Sequence, residues 1–571
     1  MTRRATVLVF AVAAVTLFAR LGILPLLQPD EGRNAEVARE MQRSGAWLVP
    51  TYDGLPYLDK PAFYFKLVAV SMAALGDTET AARLPGALFG LGVVALAYAF
   101  ARRAWGARTA ALAALAVATT PLVVAFARIV IFDMVLAFFV IAAILAGYLA
   151  EEREGAARAR WYAAGAAAAG IATLVKGPVG FFLPILVLAA LGLVERRWRA
   201  IVRLFAPLNI IIFLAIVLPW FIGVSLQRPD FPYYGLVEET AHRLLTPAFH
   251  RTAPVWYYGP VIAAVFFPWT VLLPESAVAA WRARARLGRA ERLLLVWALA
   301  VPLFFSLSQS KLPGYVLSAV VALGILVARV LDLAFARPGG RAHRAVTHGA
   351  WALALLAAGA AGAAALGAAG SGGAAAWLRA GGTEAARLQP ALAPLAASLA
   401  AVAVLATLAG WRRDVRVACV AFAAPPVLLL TMAFGGARAY AEADSARGLA
   451  RGMPALAPGV DVACLECLPN GLPFYLGRTI TLITRDGSET TSNYAVFFLR
   501  RTSTWPPQVV RLRDRDAWLA HREQPVFLMA DRRDHDALDS LAAAASAPVT
   551  SPAPGWWAAL LPAPPPASAG P

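Results

Sequence analysis

The sequence predicts a polytopic α-helical membrane protein that ends in a small water-soluble α/β domain. Three observations predict it. Of 571 residues, 60% are hydrophobic and only 15% charged, too apolar a balance for an ordinary soluble chain. Apolar runs of about 17–25 residues, enough to cross the hydrocarbon core as a helix, recur as far as residue 436. Beyond it the pattern changes to short alternating apolar runs between turns, which reads as strands.

Taken in order, the chain opens on Arg3 and Arg4 and a run at 5–27, read as an uncleaved first span rather than a signal peptide. Further spans are predicted at 81–101, 109–127, 129–150, 161–175, 178–194, 204–224, 257–276, 293–309, 312–333, 349–369, 391–410 and 415–436. That makes about thirteen, with 161–194 read either as a tight hairpin or as one kinked element at Lys176-Gly177-Pro178. Alternate connections carry the basic clusters, such as Arg102, Arg103 and Arg108, or Arg196, Arg197, Arg199 and Arg203. Short basic loops stay inside. The N-terminus is therefore expected in the cytoplasm of an inner-membrane protein, and the formal charge of +18 reports topology and not nucleic acid.

This orientation places two long loops outside, 28–80 and 225–256, on a transmembrane unit predicted over 1–436. In the first, residues 32–43 place Ala35, Val37, Ala38 and Met41 on one side and Arg33, Glu36, Arg39, Glu40 and Arg43 mostly on the other. That is an amphipathic helix expected to lie in the interface plane. Lys60-Pro61 starts a second helix. Residues 437–547 are predicted as an extracytoplasmic α/β domain, with strands in 478–485, 494–499 and 525–529, and 548–571 as a disordered Ala/Pro-rich tail. Three cysteines are too few for a disulfide framework. Cys464 and Cys467 read equally as a local disulfide or as two free thiols, without catalytic weight.

All the unusual polar chemistry falls on the outer face: Asp30-Glu31, Asp59-Lys60, Asp133, and Glu238, Glu239, His242 and Arg243. Ionisable groups at or below the interface are costly and mark functional candidates. Lys60 and Arg243 suit a lipid phosphate. A carboxylate can take the proton of an attacking hydroxyl, and a pair of carboxylates can instead hold a divalent cation. A transporter or lipid flippase is the rival class. It calls for polar groups near mid-membrane and repeated halves with broken helices, which the pattern lacks.

Long motifs narrow the reading. DEGRNAEVAREMQRSGAWLVPTYDGLPYLDKPAFYF at the first outer loop resembles polyprenyl-phosphate-dependent glycosyltransferases of the aminoarabinose-transferase and protein O-mannosyltransferase superfamily. So do TAARLPGALFG (80–90), TLVKGPVGFFLP (173–184), HRTAPVWYYGP (250–260), FFPWTVLLP (266–274), FFSLSQSKLPGYVL (304–317) and LPFYLGR (472–478). The resemblance implies the GT-C fold, a polyprenyl-phosphate-linked sugar as donor, and an envelope lipid such as lipid A, a glycan or a protein as acceptor, handled among membrane lipids.

It also implies roles. Asp30 and Asp133 match the catalytic aspartates; Glu31 beside Asp30 is a supporting candidate from the residues themselves, and so is His242, a nitrogen ligand only if it turns inward. Lys60, Arg243, Lys311 and Tyr315 match groups near the lipid phosphate. Asp59 stands where this branch often has a metal-binding Glu, and Glu238 where it has the partner His. Two carboxylates without an imidazole suit a hard ion such as Mg or Mn better than Zn, or no ion at all.

Overall fold

The computed structural model describes residues 3–235, 237–238, 253–373, 376, 388–432 and 434–564. It divides into two compact units. One comprises Met1–Ile23, Arg83–Gly223 and Leu236–Tyr440; the other comprises Leu24–Ala82, Val224–Gly235 and Ala441–Pro571. The first outer loop and the start of the second therefore belong with the C-terminal segment, and not with the apolar helices that flank them in sequence.

The first unit is helical. Among the described residues seven helices are long and apolar enough to cross a membrane, and up to ten if each of three bent pairs is one span. Glu79–Trp105, at 27 residues, rises about 40 Å. Its first turn carries Glu79 and its last Arg102 and Arg103, the signs that favour each end of the helix dipole. The difference from the thirteen expected lies in breaks and short helices. The run at 5–27 is helical only over Arg3–Phe18. It ends before Arg20, which takes φ 58° and sends its guanidinium to the carbonyl of Leu430 and over the Phe434 ring.

The run at 109–127 breaks into Ala107–Ala118 and Pro121–Ala127, bent by 63°, because Thr120 before Pro121 is extended, as a residue preceding proline tends to be. The run at 257–276 bends by 109° between Val255–Val265 and Trp269–Ala283, around Pro268. Residues 161–194 form the tight hairpin, Gly155–Lys176 and Val179–Val194. Gly177 turns it at φ 75°. A Cβ on Gly180 would lie 2.3 Å from the Ala172 backbone, so only glycine permits that approach of the two helices. The Ala/Gly-rich stretch supplies the 28-residue helix Arg341–Ala368. There Gly410 of Gln389–Arg412 makes room for the Trp351 ring, the small-residue packing usual where lipid offers no hydrophobic drive.

The second unit is built on β-structure. Strands β1 (Thr51–Tyr52) and β2 (Leu55–Pro56) form a hairpin turned by Asp53-Gly54, both at positive φ, as a two-residue Asp-Gly turn requires. The remaining strands are β3 (Asp461–Leu465), β4 (Thr481–Thr484), β5 (Val509–Arg511), β6 (Val526–Asp531), β7 (Val549–Ala553) and β8 (Trp556–Leu561). They make one sheet in the order β5-β4-β3-β6-β8-β7. The first four are parallel, joined by helical crossovers, and β8 and β7 close one edge antiparallel. Its core is Ala463, Leu465, Ile483, Val526, Leu528, Leu538 and Leu561.

Two expectations are corrected here. Residues 494–499 lie in a helix, Asn493–Arg501, and not in a strand. The Ser492 hydroxyl accepts from the Ala495 amide at 3.1 Å, a side-chain cap, and Tyr494, Ala495 and Leu499 are buried while Arg500 and Arg501 fall in the last turn. The region after 548 is ordered through β7 and β8: β8 pairs with β6 over six residues, from Val526–Leu561 to Asp531–Trp556, and Trp557 packs against the core. Cys464 and Cys467 are buried free thiols.

Candidate active site

Among the described residues, the sequence-predicted Asp30, Glu31, Asp59 and Lys60 lie in the second unit, and Asp133, Glu238, Lys311 and Tyr315 in the first. In the second unit the helix Asp30–Ser44 opens on two carboxylates, favoured by the dipole at its N-terminus. They do different things. Glu31 is buried and accepts from the Leu27 amide at 3.1 Å. Asp30 keeps its side chain 52% exposed and is gripped at 2.5 Å by Arg33. Arg33 in turn donates to the Thr491 carbonyl at 3.0 Å and its hydroxyl at 2.6 Å. So Asp30 is both aimed and accessible, the combination a proton acceptor needs. Gly32 is required beside it, since a Cβ there would lie 2.5 Å from Gly471 Cα.

Asp59 is placed otherwise. Its Oδ1 accepts from the Tyr494 amide at 2.7 Å and the Tyr234 hydroxyl at 2.8 Å, and its Oδ2 from the Asn493 amide at 3.2 Å. The carboxylate thus caps the helix Asn493–Arg501. Three donors occupy most of the roughly four lone-pair positions that a carboxylate offers, so Asp59 does not fit the metal-ligand role expected of it. Glu238, its expected partner, is half-buried. The group of His and carboxylates within ion-sharing distance among the described residues is His535, Asp536 and Asp539, on a different helix. Lys60 donates its ammonium to the Asp59 carbonyl at 2.6 Å. Arg243 and His242 lie outside the described residues.

In the first unit Asp133 begins the helix Asp133–Ala150 with a buried carboxylate. Lys176, at the end of Gly155–Lys176, donates to it at 2.6 Å. The same ammonium sits 4.7 Å from the Phe132 ring centroid and 5.2 Å from that of Tyr315, a cation–π arrangement. The SKLPGY segment closes the cluster: a Cβ on Gly314 would meet Asp133 Oδ1 at 3.2 Å, and Tyr315 packs on Phe305 at 4.6 Å. Tyr258 donates to the Leu312 carbonyl at 3.3 Å, so the WYYGP motif braces this turn. Lys311 is buried and gives its ammonium to the Ser308 carbonyl at 2.6 Å.

With this geometry established, the relatives are informative. Residues 6–234 match the family described as dolichyl-phosphate-mannose-protein mannosyltransferase. The undecaprenyl phosphate-alpha-4-amino-4-deoxy-L-arabinose arabinosyl transferase of Serratia proteamaculans is 32% identical over 328 residues, 56% of this chain and 58% of that protein. A Sodalis glossinidius protein of the same designation, numbered 2, is 34% identical over 325 residues, again 56% and 58%. The crystal structure of ArnT from Cupriavidus metallidurans bound to undecaprenyl phosphate matches with a TM-score of 0.81 at 30% identity, over 99% of both chains. The chain belongs to the ArnT family of GT-C glycosyltransferases.

This ArnT-family protein is integral to the membrane, with mostly helical architecture and several apolar helices. The aligned stretch spans somewhat over half the length of the curated relatives, 58% in the first. Lys176 in the first unit and Arg33 in the second are residues to which the sequence assigned no role. Lys176 carried a signal: a lone cation between apolar runs needs a partner, and Asp133 is the anion that the sequence sets nearest to an outer helix end. Arg33 carried a signal too, its spacing of three from Asp30, whereas its other partner, Thr491, is 458 residues away.

Proposed function

We propose that the protein transfers a sugar from a polyprenyl-phosphate donor, of undecaprenyl type, to an envelope acceptor such as lipid A, another glycan or a protein. The reading includes the finer architecture: about thirteen spans, an interfacial helix over Asp30–Ser44, an extracytoplasmic C-terminal unit, and a cytoplasmic N-terminus in the inner membrane. The observation that carries it is the likeness over 99% of both chains to a relative bound to undecaprenyl phosphate.

The chemistry follows from charge. The acceptor attacks the anomeric carbon as the lipid phosphate leaves from the opposite side, which inverts configuration. The departing phosphate regains negative charge, and Lys60 and Arg243 stabilise it there. For a hydroxyl acceptor Asp30, exposed and held by Arg33, takes the proton. For an acceptor that is already an ionised phosphate, Asp30 positions the reactants instead. Asp133 with Lys176 forms a fixed ion pair beside Tyr315 that orders the SKLPGY turn.

Membrane preparations given a panel of polyprenyl-phosphate sugars test the reading. Wild type consumes one donor, and Asp30→Asn slows that transfer by about 10²–10⁴-fold, the usual worth of a general base. Transfer unaffected by the substitution removes Asp30 from the chemistry. A lipid or solute that crosses the membrane while no donor is consumed makes the protein a transporter.

A further inference from the structure

We infer that Asp59 is a positioning residue, a carboxylate clamp that sets Lys60 through the main chain, and not a metal ligand. This deepens the transfer reading and rests on it for the role of Lys60. The acid's own surroundings decide the matter. Its oxygens accept from two consecutive amides at the start of Asn493–Arg501 and from the Tyr234 hydroxyl, at 2.7–3.2 Å. It thereby joins the first loop, the start of the second and the C-terminal helix within one compact unit. A negative charge at a helix N-terminus is favoured by the dipole as well as by the hydrogen bonds.

Turning this side chain towards a cation would take the acceptor from the Tyr494 amide and the Tyr234 hydroxyl, both on buried residues, and from the amide of the more exposed Asn493. Buried donors are rarely left so. The peptide of the same residue holds Lys60, whose ammonium donates to the Asp59 carbonyl at 2.6 Å. A fixed Asp59 side chain fixes this peptide, and the peptide sets where the Lys60 charge rests. Aspartate is well matched to this role, because its short side chain can cap amides from a loop.

The test uses the full chain in detergent or nanodiscs, wild type beside Asp59→Asn and Asp59→Ala. Elemental analysis of purified wild type should find no equivalent of Zn, Mn or Mg, and melting should not shift on adding EDTA or any of these ions. Hydrogen exchange at the Asn493 and Tyr494 amides should quicken in Asp59→Ala and less in Asp59→Asn, which keeps one acceptor oxygen. With a donor in hand, Asp59→Asn should raise its KM by about tenfold and change kcat far less, the pattern of lost ground-state binding. One equivalent of metal that disappears in Asp59→Asn overturns the inference, and so do amides as well protected in Asp59→Ala as in wild type. If Asp59→Ala does not fold, Asp59→Asn still reports on exchange, metal and KM. Exchange and metal content need no substrate, so a protein that transfers no sugar defeats the transfer reading while leaving the clamp to be judged on its amides.

Discussion

Lys176 donates to the carboxylate of Asp133 at 2.6 Å, with both side chains largely buried, 12% and 6% exposed. Two charges taken out of water hold each other there, and removing one strands the other. Lys176→Met should therefore destabilise the fold by about 3–5 kcal/mol, the cost of an uncompensated buried charge. Adding Asp133→Asn should recover part of that loss and leave transfer abolished. Melting temperatures of the two single variants and the double variant, read as a cycle, decide it. Additive losses would mean that the two residues do not form a pair.

How much of this was legible in the sequence depended on range. The membrane class and the clustering of acids and cations in loop 28–80 rest on local patterns, and the structure keeps them. Asp59 shows where local reading stops: the family resemblance suggests an outer-loop ligand, but its donors are Tyr234, Asn493 and Tyr494, and nothing in the spacing announces them. The helix at Asn493–Arg501 was hidden because YAVFFL satisfies a strand by composition. The cap by Ser492 decides for helix, and it lies just before the apolar run. Trp556 and Trp557 open β8 inside what reads as a Pro/Ala-rich tail, because that strand takes its order from β6 and β7 on its two sides.

Glu36 should make stability depend on pH. Burial pushes its carboxyl up from 4.5 to about 7, against the pull of Arg39, which donates to both its oxygens at 2.5 and 2.6 Å. An acid whose folded pKa lies above its unfolded value keeps its proton longer in the folded chain. Stability from this group is full below about 4.5, falls by at most about 1.4 kcal/mol per pH unit as pH rises towards 7, and is level beyond. Melting of wild type between pH 5 and 8 should show that fall, and Glu36→Gln should flatten it. An equal slope in both would assign the pH dependence elsewhere.

Gly32→Ala should loosen the first loop. The added Cβ would press into the backbone of Gly471, at 2.5 Å from Cα and 2.6 Å from N, and main-chain atoms cannot swing aside as a side chain would. Overpacking of this kind costs about 1–3 kcal/mol. The expected outcome is a lower melting temperature with reduced transfer, since Asp30 and Arg33 flank the same turn of helix. Gly45→Ala is the control. Gly45 stands at φ 71°, and a Cβ there meets nothing within 4 Å, so the variant should bear only backbone strain and leave transfer nearly intact.

The two closing strands should be required for the C-terminal sheet. β8 supplies the whole lateral partner of β6 on that side and contributes Ala559 and Leu561 to the core, with Trp557 packed against it. The Trp557 ring also lies 4.4 Å from that of His535, at the start of the helix His535–Ala544. A chain stopped after residue 547 would present the β6 edge, Val526 to Asp531, unpaired and apolar, which is the usual template for aggregation. Limited trypsin digestion reads this directly: Arg532 and Arg533 follow β6, and cleavage there should be slow in the full chain and fast in the shortened one. Replacing only residues 562–571 should leave the digestion pattern unchanged. If the shortened chain resists trypsin like the full one, β7 and β8 contribute nothing to the sheet.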